Sequence, residues 1–274
     1  MTIGEKDVGS LVYLRVDGEY KAFRVMHHGK PSDLYDDSWV GGTVIMLDYT
    51  EHPVAVDMVS GFLDEKITYA RSGGHNALNS TWLARLDAGV AEVFREVRLP
   101  YRSDVDGSDT VAGGGSGLAA RIWLPSVIEV ARGTSYYDGA PRFYVNEGAK
   151  FSYWADADLE RYRLWEYEDE NEDDVGWGTR TPNTYKTGDD AACFHVVRGN
   201  GMCYNGNTDQ VMVRPCMVLP DEVMVDGDSY VQVGKIMHCK VGGAWKEGTT
   251  SVKVGGVWKE LAQQAVKVGG AWKE

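Results

Sequence analysis

The sequence has few cysteines, few prolines and few basic residues, and it has no segment that is long and apolar enough to span a bilayer. Four Cys and eight Pro occur among 274 residues. This composition excludes a disulfide-rich mini-scaffold, a collagen and a disordered tail. Lys and Arg number 28 against 41 Asp and Glu, so the formal net charge is −13. A chain this acidic repels phosphate backbones, and we expect neither nucleic acid as a partner nor membrane insertion.

The N-terminal segment and the cysteines predict a protein that is made in a cytosol and not secreted. The first ten residues, MTIGEKDVGS, contain neither the basic nor the apolar region of a signal peptide. No cysteine forms a C-x-x-C pair, which argues against a zinc ribbon. We expect four reduced thiols, and the alternative is a bridge between Cys193 and Cys203 across a hairpin. The four cysteines are Cys193, Cys203, Cys216 and Cys239.

Catalytic and metal-binding patterns are missing from the sequence. It contains no H-E-x-x-H spacing, no G-x-S-x-G, no Walker loop and no G-x-G-x-x-G after a strand. The acidic run EYEDENEDD at residues 166–174 offers carboxylate oxygens, but it lacks the spacing and the glycine of an EF-hand. We expect a solvated loop there, with a calcium site as the alternative. The sequence predicts no catalytic residue, no metal ligand and no cofactor apart from this possible calcium ion.

The C-terminal segment, residues 235–274, contains three copies of one short repeat. Residues 240–247, 253–260 and 267–274 read KVGGAWKE, KVGGVWKE and KVGGAWKE. Each copy predicts a β-hairpin, because Gly-Gly suits a two-residue turn and Val and Trp suit its flanking strands. A unit this small cannot bury its own indole, so the repeats should pack on each other or between subunits. A structural assembly tail and a lectin-like or peptidoglycan-binding repeat are both open, and a homo-oligomer is expected.

Residues 1–234 predict one α+β domain with short strands and a few helices. Apolar alternation on either side of Asp17-Gly18 predicts a hairpin of residues 11–16 and 20–26, and residues 42–48 predict a further strand. Asn79 and Asp87 each precede an amphipathic run and are predicted to be helix N-caps.

Some side chains in this domain are predicted to be structural. Ser126 and Glu129 have the spacing of a capping box that starts a helix. Arg180 and Arg214 are expected to anchor loops through charge-assisted bonds to carbonyls or carboxylates. The tryptophans in apolar strand or helix patterns are predicted to be core residues: Trp82, Trp123 and Trp177.

Polar segments in the region 176–219 have the composition of an adaptable binding surface. They are rich in Asn, Thr, Asp, Gly and Tyr, of which Tyr supplies rigid contact area and Asn supplies hydrogen bonds. Ordinary hairpin loops are the alternative. Six residues lie outside the apolar periodic positions and are the candidate binding residues: Asn183, Thr184, Tyr185, Tyr204, Asn205 and Asn207.

Five ordered motifs resemble a domain of unknown function that is widespread in gut bacteria and their phages. A W-x-x-R-[ST]-P motif covers residues 177–182, and a V-R-P-x-x-x-L motif covers residues 213–219. The other matches are GKPS-x-LYDD at residues 29–37, LNST at residues 78–81 and V-x-[IL]-PYR at residues 97–102. The resemblance extends from about residue 3 to residue 219, and the KVGGxWKE segment resembles the terminal repeats of phage tail proteins.

The resemblance implies a C-type-lectin-like fold, similar also to that of formylglycine-generating enzymes, and a non-enzymatic role in a virion. It implies a tail or fibre-tip protein that recognises a host-surface glycan or protein through the six candidate residues. A homo-oligomer, favoured as a trimer, would then contact other virion proteins through residues 235–274. The alternatives are a structural virion protein, such as a capsid decoration or tail adaptor, and more distantly a carbohydrate-active or metal-dependent enzyme.

Overall fold

The computed structural model divides the chain into two compact units, Met1–Val231 and Gln232–Glu274. It describes the first unit over residues 1–51, 54–57, 68–103, 110–130, 147–155, 167–168, 174–175, 177–182, 194–197 and 211–231. In the second unit it describes residue 232 and the six strands given below. The described part of the chain is mixed α and β, with most elements being strands in several small sheets.

Seventeen strands are described in the residues up to 232. They are β1 (Leu11–Val16), β2 (Glu19–His28), β3 (Gly42–Leu47), β4 (Val54–Val56), β5 (Val97–Leu99), β6 (Tyr101–Arg102), β7 (Val111–Ala112), β8 (Leu118–Ala120), β9 (Ile122–Trp123), β10 (Tyr167–Glu168), β11 (Asp174–Val175), β12 (Trp177–Pro182), β13 (Phe194–Val197), β14 (Val211–Val213), β15 (Cys216–Pro220), β16 (Met224–Val225) and β17 (Val231–Gln232).

The described helices are short. Two are α-helices, α1 (Gly73–Ala77) and α2 (Ala88–Val93), and one π-helical turn spans Leu78–Trp82. The 3-10 turns are Ile3–Glu5, Asp37–Trp39, Tyr69–Arg71, Leu83–Arg85, Gly114–Ser116 and Ser152–Trp154. None of the helices in the described residues is long and apolar enough to cross a membrane.

The largest sheet has five antiparallel strands in the order β1-β2-β3-β15-β9. Its first two strands form the predicted hairpin, in which Val16 pairs with Glu19 and Asp17 and Gly18 both have positive φ. All six residues of β3 are buried. Such an uninterrupted buried strand requires packing on both of its faces, and β3 therefore belongs to the centre of the core.

A second sheet has four strands in the order β13-β12-β14-β4. β12 pairs antiparallel with β13 and parallel with β14, and β14 pairs antiparallel with β4. The remaining strands up to residue 232 form two-stranded pairs, β5 with β8, β6 with β7, β10 with β11 and β16 with β17. β12 carries the W-x-x-R-T-P motif, so this sheet supports the segment in which the candidate binding residues were predicted.

The helical stretch around Asn79 differs from its prediction. Ser72 is the N-cap of α1 and accepts a hydrogen bond from the His75 N–H, so the helix begins seven residues earlier than expected. Asn79 lies inside the stretch. Its side-chain oxygen accepts from the N–H groups of Arg121 and Ile122, and its Nδ2 donates to the Ile122 carbonyl. The polar side chain joins the helical stretch to β9, which explains an interior Asn better than capping does.

Two other local predictions are correct in position and differ in extent. Asp87 is at the N-cap position of α2, but its side chain makes no capping hydrogen bond and the helix is only six residues long. The capping-box bonds are present, since the Glu129 N–H donates to Ser126 Oγ and the Ser126 N–H donates to Glu129 Oε2. In the described residues they close a turn at residues 127–130, and residues 131–146 lie outside the described part.

Large aromatic side chains fill the core of the first unit. Trp82, Trp123 and Trp177 are all buried, which confirms their predicted placement. Trp123 packs edge-to-face against Trp39, with ring centroids 5.2 Å apart, and Trp39 packs in the same way against Tyr35 at 4.6 Å. Aromatic pairs in this geometry contribute about 0.5–1.5 kcal/mol beyond the burial of their area.

Among the described residues, the second unit has three antiparallel strand pairs. In the sequence, a Gly-Gly dipeptide stands between the two strands of each pair. Val241 pairs with Ala244, Val254 with Val257, and Val268 with Ala271. These strands are β18 (Met237–Val241), β19 (Ala244–Gly248), β20 (Ser251–Val254), β21 (Val257–Glu260), β22 (Val266–Val268) and β23 (Ala271–Lys273). The indole side chains of the repeats lie outside what the structure describes.

Candidate functional site

The six candidate binding residues lie outside the described residues, but the strands on either side of them are described. Asn183, Thr184 and Tyr185 directly follow β12, and Tyr204, Asn205 and Asn207 lie between β13 and β14 in the sequence. The site can therefore be built from the strands that carry these segments and from the side chains that fix those strands.

Arg180 is the main anchor of β12. Its guanidinium is fully buried and pairs with both carboxylate oxygens of Glu129, Nη1 to Oε2 at 2.5 Å and Nη2 to Oε1 at 2.8 Å. It also donates to three backbone carbonyls: Leu124 at 3.0 Å, Glu147 at 2.7 Å and Pro100 at 3.2 and 3.3 Å. One side chain thus joins β12 to three other segments, as the sequence predicted for this arginine.

The Glu129 carboxylate also accepts hydrogen bonds from groups other than Arg180. Tyr35 Oη donates to Oε1 at 2.6 Å, and the Ser126 N–H donates to Oε2 at 2.9 Å. Tyr35 Oη in turn accepts from the Ala149 N–H at 3.0 Å. Burial and the charge of Glu129 raise the pKa of Tyr35 well above its ordinary value, so this phenol remains a donor at any physiological pH.

Glu147 is the second buried carboxyl group of the cluster. Its Oε1 accepts from the Arg102 N–H at 2.7 Å. Burial raises the pKa of Glu147 to about 7, although the positive charge of Arg180 and the hydrogen bond from Arg102 oppose the rise. Two buried carboxyl groups therefore share the neighbourhood of one guanidinium, and Glu147 titrates near neutral pH.

The cluster made of Tyr35, Glu129, Glu147 and Arg180, here called the anchor cluster, serves the backbone. Its guanidinium and the Glu129 carboxylate are directed at carbonyls, N–H groups and each other, and all four residues are fully buried. Removing one partner of a buried ion pair lowers the free energy of unfolding by about 3–5 kcal/mol, because the other charge stays buried without compensation. The arrangement therefore fixes the start of the segment that continues from Pro182.

Arg214 directly follows β14 and anchors a different part of the chain, the residues that come after β3. It donates through Nη1 to the carbonyls of Asp48 and Glu51 and through Nη2 to that of Tyr49 at 3.4 Å. Burial lowers the pKa of Arg214 to about 10, and the nearby carboxylates of Asp48 and Glu51 oppose this change. These bonds hold residues 48–51, which follow β3, and they confirm the anchoring role predicted for this arginine.

Strand direction decides where the first candidate segment begins. β13 is antiparallel to β12, and Phe194 lies opposite Pro182. β12 therefore ends, and β13 begins, at the same edge of this sheet, the Pro182 end of β12. Asn183, Thr184 and Tyr185 are the first residues of this segment, next to a strand that Arg180 holds.

The second candidate segment begins at the other end of β12. Val197, the last residue of β13, pairs with Trp177, and β14 runs parallel to β12 with Val213 opposite Gly178. β13 therefore ends, and β14 begins, near the Trp177 end of β12. The sequence predicted one common face for both segments, and this stays a prediction because only their strand ends are described.

The segments for which a calcium site and a Cys193–Cys203 bridge were the alternatives are largely undescribed. Within the acidic run only Tyr167, Glu168 and Asp174 are described, through the backbone pairs of Tyr167 with Val175 and of Glu168 with Asp174, so the predicted solvated loop and the alternative calcium site both stay predictions. Among the described residues, no group of three or more His, Cys, Asp or Glu side chains is arranged to hold a metal ion. Cys216 is a buried free thiol, and burial raises its pKa well above the ordinary value. Cys193 and Cys203 lie outside the described residues.

Sequence reasoning found the two anchoring arginines but not their partners. Glu129 was noted only as part of a capping box, while Tyr35 and Glu147 were not singled out. One signal did exist, since Tyr35 lies in the GKPSxLYDD segment. The sequence could not predict that these side chains meet Arg180, because they come from distant parts of the chain.

A family profile matches residues 42–221, about two thirds of the chain, and carries the description Domain of unknown function (DUF6273). The matched range starts with β3 and includes the anchor cluster except for Tyr35. No curated protein and no solved structure matches the chain.

Proposed function

Since the chain belongs to this family, whose description names no activity, we propose a function from the anchored strands: the protein is a non-enzymatic phage virion component. In this proposal it acts as a tail or fibre-tip protein that binds a glycan or protein on the host surface. It is made in the host cytoplasm and becomes part of the virion.

The observation that supports the proposal is the rigid attachment of β12. Arg180 fixes this strand two residues before Pro182, and the candidate residues Asn183, Thr184 and Tyr185 follow at once. Binding surfaces combine a well-held scaffold with adjacent segments whose composition can vary. Tyr and Asn in those segments supply rigid contact area and hydrogen bonds. A C-type-lectin-like arrangement of the first unit belongs to the same proposal, in which the two candidate segments, attached at opposite ends of β12, would have to converge to form one face.

The hairpins of the second unit support the assembly part of the proposal. An isolated two-stranded hairpin is at best marginally stable in water, and each repeat has only one Trp in its sequence. Packing between subunits would stabilise these hairpins, and we propose a homo-oligomer, most simply a trimer. The same unit would attach the protein to other virion proteins.

The test is a host-binding assay with the full-length protein. Substituting both Tyr185→Ala and Tyr204→Ala should weaken host binding by about 1–3 kcal/mol, because the two rings are the proposed contact anchors. The matched control is the double variant Tyr185→Phe and Tyr204→Phe, which keeps both rings and should bind nearly as the parent does. Unfolding temperatures of both variants should match that of the parent.

Undiminished binding by the alanine variant would remove these residues from the contact. Absence of any host binding by the parent protein would instead favour a structural virion protein, such as a capsid decoration or a tail adaptor.

A further inference from the structure

A histidine, a threonine and an aspartate join the N-terminal segment to the five-stranded sheet of the first unit. His28 is the last residue of β2, and its Nε2 lies 2.8 Å from the carbonyl oxygen of Lys6. Its Nδ1 lies 2.9 Å from Thr43 Oγ1 on β3. Thr43 Oγ1 in turn donates to Asp221 Oδ1, directly after β15, at 2.7 Å. We call His28, Thr43 and Asp221 the histidine latch.

The three hydrogen bonds of the histidine latch require three hydrogens. The Lys6 carbonyl only accepts, so His28 Nε2 must carry one of them. The Thr43 hydroxyl has a single hydrogen, which it can give to Asp221 or to His28 Nδ1 but not to both. A neutral imidazole, a hydroxyl and an ionised carboxylate together supply two hydrogens, so all three bonds form only when one more proton is bound. That proton belongs on His28 Nδ1, because imidazole is a stronger base than a carboxylate.

Residues 1–6 are the segment that the histidine latch holds. Ile3 in this segment is fully buried. The Gly4 N–H donates to the Asp221 carbonyl at 3.0 Å, and a Cβ at Gly4 would lie 2.7 Å from the Asp221 Cβ. The segment thus lies directly against the aspartate at one end of the latch, and its Lys6 carbonyl is bonded to the other end. Losing one bond of the latch therefore loosens this segment.

The neighbouring histidine of β2, His27, does not take up the proton in place of His28. The Ser152 N–H donates to His27 Nδ1, so this nitrogen carries no hydrogen. Burial lowers the pKa of His27, and the positive charge of His28 lowers it further, although Glu129 and a backbone hydrogen bond at Lys30 oppose the change.

Other charged groups of both signs lie on the elements around the histidine latch. β3 and the 3-10 turn at residues 152–154 contain no charged residue. Two of the basic groups are bonded elsewhere, since Lys6 Nζ donates to Ser229 Oγ and Arg95 Nη1 donates to the Val40 carbonyl. The charged residues on the N-terminal segment, after β2, beside Gly42 and after β15 are Glu5, Lys6, Asp7, Lys30, Asp37, Arg95, Asp221 and Glu222.

We propose that the histidine latch is a pH-sensitive device that fastens residues 1–6 in its protonated form and releases them when His28 loses its proton. Histidine side chains change charge between about pH 5 and pH 8. The closed latch contains the additional proton, so falling pH favours the closed state and rising pH favours opening. The latch does not involve the candidate binding residues, and it stands or falls independently of host binding.

Hydrogen exchange in the full-length protein tests the histidine latch. The protection factors of the Ile3 and Gly4 N–H groups, each relative to the intrinsic rate at the same pH, are compared at about pH 5.5 and about pH 8. In the parent they should fall by about tenfold at the higher pH, as expected for the loss of one hydrogen bond to a charged group. Nitrogen-15 NMR of the His28 ring should show a hydrogen on Nδ1 at the lower pH.

Three variants separate the latch from other effects of pH. In Asp221→Asn the amide supplies the third hydrogen to Thr43 Oγ1, and Thr43 can then donate to a neutral His28, so protection should stay high at both pH values. Thr43→Val removes the hydroxyl at nearly the same volume and should have low protection at both. Glu19→Gln changes a 77% exposed carboxylate elsewhere and should keep the pH dependence of the parent.

Equal protection factors of the parent at the two pH values would overturn the proposal. It is also overturned if Asp221→Asn loses protection with rising pH as the parent does, because the dependence would then come from another group, such as Glu147. If Thr43→Val does not fold, the comparison of Asp221→Asn with the parent and Glu19→Gln decides the matter.

Discussion

The five-stranded sheet of the first unit and the hairpins of the second unit are both antiparallel, but their paired strands come from different distances along the chain. Cys216 of β15 pairs with Met46 of β3, whereas Val254 pairs with Val257 across two residues. The sheet is joined by long-range contacts and buried side chains. The hairpins are local, and in the described residues each is a two-stranded pair.

This difference separates two sources of stability. A local hairpin forms from its turn and its few cross-strand pairs, and it needs another surface to become independently stable. The first unit instead buries whole strands and holds them with the anchor cluster. We therefore expect substitutions in the anchor cluster to act on folding, and substitutions in the repeats to act on assembly.

The largest effect is expected at the buried ion pair. Glu129→Ala should lower the free energy of unfolding by about 3–5 kcal/mol, because the charge of Arg180 would remain buried without its partner. Denaturant titration measures this loss. Arg85→Ala is the matched control, since the Arg85–Asp17 pair has a similar distance of 2.6 Å and its side chains are 42% and 52% exposed. The control should change stability by at most about 1 kcal/mol.

A loss of similar size is expected when a core ring is removed. Trp177 is 1% exposed, and Trp177→Ala should lower the free energy of unfolding by about 3–5 kcal/mol through lost burial and a cavity. Trp258→Ala in the repeats is the comparison, and it should leave the unfolding of the first unit unchanged while weakening self-association. Equal unfolding temperatures for Trp177→Ala and the parent would contradict the core placement.

Local signals in the sequence predicted the local parts of the fold. Asp17-Gly18 predicted a hairpin turn because both positions tolerate positive φ, and the apolar run from residue 42 predicted β3. Asn79 was wrongly placed at a helix start, because its real partners are backbone groups of Arg121 and Ile122. The sequence predicted that Arg180 donates hydrogen bonds to carbonyls or carboxylates. It could not identify Glu129 as the partner, because that requires the fold.

A smaller effect concerns pH and Glu147. The native pKa of about 7 lies above the ordinary value of 4.5, so the folded state binds the proton more tightly than the unfolded chain does. The resulting stabilisation is fully present below about pH 4.5 and is lost as the pH rises through about 7.

Glu147→Gln tests this pH dependence, because an amide keeps an acceptor for the Arg102 N–H and does not titrate. Relative to the Gln variant, the parent should lose on the order of 2 kcal/mol of unfolding free energy between pH 5 and pH 8. Parallel stability curves for the two proteins over this range would show that Glu147 does not titrate in the folded state near neutral pH.

The most direct test of the contrast between the two units is the mass in solution of the full-length protein and of a chain that ends at residue 234. We predict that the full-length protein is an oligomer, most simply a trimer, and that the shortened chain is a folded monomer with nearly the same unfolding temperature. Light scattering and thermal unfolding measure both properties. An unchanged oligomer after removal of residues 235–274, or an unfolded shortened chain, would contradict the account.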